Sequence, residues 1–88
     1  MVSWHLYWSR QSKKDAKKIL RAGLRPQVDD ILKVLETNPF QNSPPYEKLV
    51  GDLAGIYSRR INIQHRIIYQ VFKEEKIVKI IRLWTHYE

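Results

Sequence analysis

The spacing of apolar and polar residues divides the chain into one strand, two helices and a strand-rich C-terminal half. Val2 to Trp8 contains β-formers throughout and no turn residue, which predicts a first strand. Ala16, Ile19, Leu20 and Leu24 then recur at a helical period, opposite Lys14, Lys17, Lys18 and Arg21. Ser12-Lys13-Lys14-Asp15 reads as a capping box, with Ser12 at the N-cap and an acid three residues on. Gly23 closes this helix and Pro26 opens a second. In the second helix Val28, Ile31, Leu32 and Leu35 fall at i, i+3, i+4 and i+7, an apolar stripe. Asp29 and Asp30 are placed in its first turn, where acids complement the helix dipole, and Asn38-Pro39 ends it.

Residues 39–52 are rich in proline and polar residues and predict a loop that carries Glu47. Three strands follow, at about 55–63, 65–73 and 76–84, with Glu74-Glu75 in the second turn. The predicted order is β-α-α-β-β-β. This is an α+β fold in which two helices cover one face of a mainly antiparallel sheet, and residues 1–88 form a single domain.

Charge changes the picture. The chain carries 16 Lys and Arg against 9 Asp and Glu, a net charge of +7. The two strands around residues 55–73 place Arg59, Arg60, His65 and Arg66 where strands usually carry neutral or mixed polar residues. Cations gathered on an open sheet face repel one another unless an anion lies against them. With Lys79 and Arg82, and with Tyr57, Tyr69 and Trp84 interleaved, this face suits unpaired RNA, because arginine forks phosphate and aromatic rings stack on bases. The absence of cysteine excludes a disulfide framework and thiolate chemistry. The three histidines lack the spacing of a zinc site, so no metal is expected, and there is no glycine-rich phosphate loop. No apolar run approaches the roughly 18 residues that span a membrane, and the N-terminus lacks the pattern of a signal peptide. A cytoplasmic protein with no membrane partner is expected.

RNA cleavage without a metal needs a base for the 2′-hydroxyl, an acid for the leaving 5′-oxygen and a cation for the charge on phosphorus. Glu47, His86 and Arg66 supply that set, and Tyr87 adds a hydrogen-bonding or stacking group. Each is weak by pattern alone, since a loop acid and a terminal histidine usually serve no chemistry.

Longer motifs add specificity. Trp8-Ser9, Pro39-Phe40, Glu47-x-Leu49, Leu53-x-Gly55-x-Tyr57-Ser58-Arg59-Arg60-Ile61, His65-Arg66-x-x-Tyr69 and the terminal His86-Tyr87 occur in order along nearly the whole chain. The set resembles the YoeB/Txe toxins of bacterial type II toxin–antitoxin modules, within the RelE-like superfamily of microbial RNases. The resemblance implies a ribosome-dependent endoribonuclease that cuts mRNA in the ribosomal A site, with no cofactor. It assigns Glu47 as general base, His86 as general acid, Arg66 as transition-state cation and Tyr87 as the terminal tyrosine of the site. Arg59 and Lys48 are implied as RNA contacts, whereas Arg60 and His65 are read as structural. Val50 departs from the pattern, because a basic residue often follows the loop leucine.

The resemblance further implies an acidic YefM/Axe-like antitoxin, the 70S ribosome and mRNA as partners, and operator DNA bound through the antitoxin complex. It also allows a homodimer, on which the sequence is silent. Two readings compete: a ParE-like toxin that binds gyrase, and a non-catalytic RNA-binding module. Both leave Glu47 and His86 without a role.

Overall fold

A computed structural model describes residues 3–43, 45–48 and 55–84. The elements are β1 (His5–Trp8), α1 (Arg10–Arg21), α2 (Arg25–Thr37), β2 (Tyr46–Lys48), β3 (Ile56–Arg60), β4 (Arg66–Phe72) and β5 (Ile77–Arg82). The strands form one sheet in the order β1-β5-β4-β3-β2. β1 runs parallel to β5, and every other pairing is antiparallel. The two helices carry the chain from one edge of the sheet to the other, which is why they cover a single face. No helix is long and apolar enough to cross a membrane among the described residues.

The expected α+β architecture holds, with one strand added. Tyr46–Lys48 was expected to be loop, but it pairs with β3 as an edge strand. Three residues are too short for alternation to show in sequence, and the adjacent Pro45 is tolerated at an edge. β3 also stops earlier than its apolar pattern suggests. The Asn62 side chain accepts hydrogen bonds from the Gln64 and His65 amides (2.9 and 2.7 Å), an Asx turn that ends the strand.

α1 begins at Arg10, not after Ser12. Ser9 is its N-cap, accepting from the Ser12 amide at 3.0 Å, while the Ser12 hydroxyl donates back to the Ser9 carbonyl at 2.8 Å. At the far end the Leu24 amide reaches the Ile19 carbonyl and the Gly23 amide reaches that of Leu20. Gly23 sits at φ +71°, the left-handed position this Schellman closure needs. α2 begins at Arg25, so Asp29 and Asp30 fall beyond its first turn and Asp29 pairs instead with Arg25 at 3.4 Å.

Between helices and sheet lies a core built from Trp4, Ile19, Val28, Ile31, Leu35, Ile67, Tyr69, Val71, Val78, Ile80 and Leu83. Asp15 enters this region with no solvent exposure. It is not the capping acid that the sequence suggests. Its Oδ2 accepts from Arg82 Nε (2.9 Å) and from the amides of Leu83 (3.0 Å) and Trp84 (3.3 Å), and its Oδ1 accepts from Gln11 (3.1 Å). Burial alone would raise its pKa, but these hydrogen bonds, led by Arg82, outweigh it and hold the carboxyl below its ordinary 3.8.

Asp15→Asn turns an amide toward donors and leaves Arg82 without its anion. It is expected to lower stability at neutral pH by about 2–4 kcal/mol, read by urea titration. A lowered folded-state pKa means the carboxylate stabilises fully above 3.8 and loses that contribution as pH falls through the lower folded value. The wild-type and variant stability curves should therefore converge only below pH 3.8; a constant gap at every pH would contradict this.

Candidate active site

Strand alternation assigns the arginines to faces. Tyr57 and Arg59 of β3 pair with Tyr69 and Ile67 of β4 on the helix-covered face, while Ser58 and Arg60 pair with Ile68 and Arg66 on the other. β2 then sets Glu47 opposite Ser58. Arg60 and Arg66 are thus direct cross-strand neighbours of like charge, an unfavourable pair unless an anion intervenes. Glu47 supplies one: its Oε1 lies 3.3 Å from Arg66 Nη1. The same Nη1 lies 3.4 Å from the Ser58 hydroxyl.

These residues and Pro45 line an open cleft of about 320 Å³. Arg66 is mostly covered, at 16% side-chain exposure, whereas Glu47 is 66% exposed. A fixed cation beside a carboxylate reachable from solvent can hold a phosphate and present a base to it. Two arginines against one carboxylate leave the cleft with excess positive charge, which favours a further anion.

Among the expected site residues, Glu47 and Arg66 are brought together. Lys48 is exposed, but its partner across the ladder is Tyr57 of the opposite face, and it does not line the cleft. His86 and Tyr87 lie outside the described residues, as does Val50. The chain leads toward His86 from a defined place, however. Trp84 stacks on His65 with ring centroids 3.8 Å apart, and His65 directly precedes Arg66.

Arg59 must be corrected. It was expected to contact RNA, but it has no solvent exposure. Its Nε donates to the Tyr69 hydroxyl (2.9 Å), and its Nη2 donates to the carbonyls of Pro39 (2.9 Å) and Gln41 (2.6 Å). Its guanidinium also lies 5.0 Å from the Tyr46 ring centroid. Tyr69 is fully buried and stacks at 5.9 Å on the half-buried Tyr57, so Tyr69 is not free for a base. Burial pushes the Tyr69 phenol up to about 12 despite the opposing pull of Arg59. Arg60, read as structural, is the exposed arginine that lines the cleft, and Ser58 joins it there. Both stand in the motif Tyr57-Ser58-Arg59-Arg60; only register tells which arginine faces out.

Two helices on one face of a mostly antiparallel sheet are the fold of RelE-like toxins. Residues 2–87 match the family described as "YoeB-like toxin of bacterial type II toxin-antitoxin system", and the chain belongs to that family. It is 31% identical over 88 residues to a Toxin YoeB of Synechocystis, covering 99% of this chain and 91% of that protein. A YoeB/ParE toxin from Agrobacterium tumefaciens has a TM-score of 0.84 at 30% identity, covering 94% of this chain and 99% of that one. Staphylococcus aureus YoeB is similar both in a heterotetrameric YoeB–YefM complex (TM-score 0.78, 30% identity, 96% and 98% covered) and as a dimer (0.82, 30%, 97% and 99%).

The face assignment has a direct test. Arg59→Met leaves two carbonyls and a phenol without their donor and is expected to cost about 2–4 kcal/mol in urea denaturation. Arg60→Gln should change stability by no more than about 0.5 kcal/mol. The reverse order would overturn the assignment.

Proposed function

We propose that this toxin is a ribosome-dependent endoribonuclease acting on mRNA in the A site. The observation that carries this reading is the Glu47 carboxylate set 3.3 Å from Arg66 in an open cationic cleft. Glu47 removes the proton from the 2′-hydroxyl, whose oxygen attacks the adjacent phosphorus. Arg66, with Arg60 beside it, stabilises the extra negative charge on the phosphoryl oxygens. The bond from phosphorus to the 5′-oxygen breaks, and His86 protonates that oxygen, leaving a 2′,3′-cyclic phosphate and a 5′-hydroxyl. Tyr87 assists beside His86. His86 follows Trp84 by two residues, and the stack of Trp84 on His65 next to Arg66 supports this role.

A base that is 66% exposed among the described residues suits an enzyme whose substrate is positioned by a larger particle. Partners follow from the relatives. Staphylococcus aureus YoeB assembles with YefM and also forms a dimer. A YefM-like acidic antitoxin suits a toxin of net charge +7 and provides the operator contacts of the complex.

Primer extension on an mRNA, with and without ribosomes, tests the reading. Codon-spaced cuts are expected only with ribosomes. Glu47→Gln, Arg66→Ala and His86→Ala should each reduce cutting by about 10²–10⁴-fold while thermal melting stays cooperative. Growth arrest without cuts would favour the gyrase-binding alternative, and full cutting by all three variants would remove the catalytic assignment. Because one group must be deprotonated and another protonated, the cleavage rate is expected to follow a bell-shaped pH curve; a rate that rises with pH to a plateau would argue against His86 as the acid.

A further inference from the structure

α1 is built against its own electrostatics. Arg10, Lys13, Lys14, Lys17, Lys18 and Arg21 are all exposed, and none has an ion-pair partner among the described residues. The helix has no acid in its first turn, where Arg10 and Lys13 instead meet the positive end of the dipole. Its one acid, Asp15, is buried and committed to Arg82. Like charges recur at i and i+4 in Arg10–Lys14, Lys13–Lys17, Lys14–Lys18 and Lys17–Arg21, each pair costing helix stability. Local choices that oppose the fold in this way are expected where function demands them.

At about 100° per residue the six cations cover an arc of about 140°, centred opposite the buried Ser12 and Ile19. Over twelve residues the stripe is about 18 Å long. It contains no apolar residue. Leu20, 56% exposed, stands at its edge and turns toward the groove shared with α2. An amphipathic acidic peptide needs an apolar strip to anchor it. A nucleic-acid backbone does not, because release of its condensed counterions supplies the affinity. The stripe is also convex, and it lies on the helix-covered side of the sheet, away from the cleft.

We propose that the outer face of α1 is a second RNA-binding surface, one that takes the phosphate backbone of a double-stranded RNA segment without reading its sequence. The toxin then lies between two RNA elements: a single strand at the Glu47–Arg66 cleft and a duplex behind α1. That the duplex belongs to the ribosome rests on the proposed function; duplex binding itself does not.

The test is fluorescence anisotropy of the purified full chain with a short fluorescein-labelled RNA duplex of mixed sequence, across a range of salt concentrations. Lys14→Gln/Lys17→Gln/Arg21→Gln keeps good helix formers at exposed positions and removes the repulsive pairs, so a melting temperature no lower than the wild type's verifies its fold. The triple variant is expected to bind at least tenfold more weakly, with the log–log salt slope reduced by about 2–3, roughly one per lost phosphate contact. Arg66→Gln, in the cleft, should weaken duplex binding by less than the triple variant does. Equal affinity and salt slope in the wild type and the triple variant would overturn the proposal. So would polyglutamate binding more tightly than the duplex through the same residues, which would make an acidic protein the partner. No cleavage step enters the measurement, so its failure is separate from failure of the nuclease reading.

Discussion

Asp15 is the point at which helix and sheet are tied. A carboxylate removed from water is costly unless every lone pair is used, and here four donors converge on it. Two of them are the amides of Leu83 and Trp84, which continue from β5 after its register has slipped at a bulge beside Ile68 and Tyr69. The ladder no longer satisfies these amides, and a side chain from α1 does. The same interaction fixes where β5 ends. Trp84 thereby comes to rest on His65, beside the strand that begins with Arg66. A structural carboxylate thus governs where the last described residue, Trp84, is held.

A second constraint is the two-residue period of a strand. Arg59 and Arg60 are chemically identical neighbours with opposite fates. Arg59 is drawn into the aromatic cluster of Tyr46, Tyr57 and Tyr69 and spends its donors on the carbonyls of Pro39 and Gln41, which hold down the loop leading to β2. Arg60 faces the cleft opposite Arg66. One arginine therefore supports the strand that carries Glu47, and the other adds to the charge that Glu47 partly offsets. The cleft depends on both.

The arrangement also explains why the molecule tolerates so much positive charge. On the sheet, Glu47 pairs with Arg66, the cross-strand neighbour of Arg60. On α1, nothing comparable intervenes, and the only acid of that helix is turned inward. The two surfaces lie on opposite sides of a thin, two-layer fold.

Much was legible in the sequence. Helical periodicity placed α2 within a residue at each end, because Val28, Ile31 and Leu35 must share one face to reach the core. The Glu47 and Arg66 pair was legible through motif and charge, and family membership through the ordered set from Trp8 to His86. Three things were decided only by tertiary structure. The burial of Asp15 needed the end of β5, 67 residues away in sequence, to supply its donors. The edge strand at Glu47 needed β3 as a partner, since three residues carry no period of their own. The exchange of roles between Arg59 and Arg60 needed the register of two ladders, because a one-residue slip reverses every side chain in a strand. Local patterns record what each segment can bury; which cation lies inside and which faces the cleft depends on how strands from distant segments align.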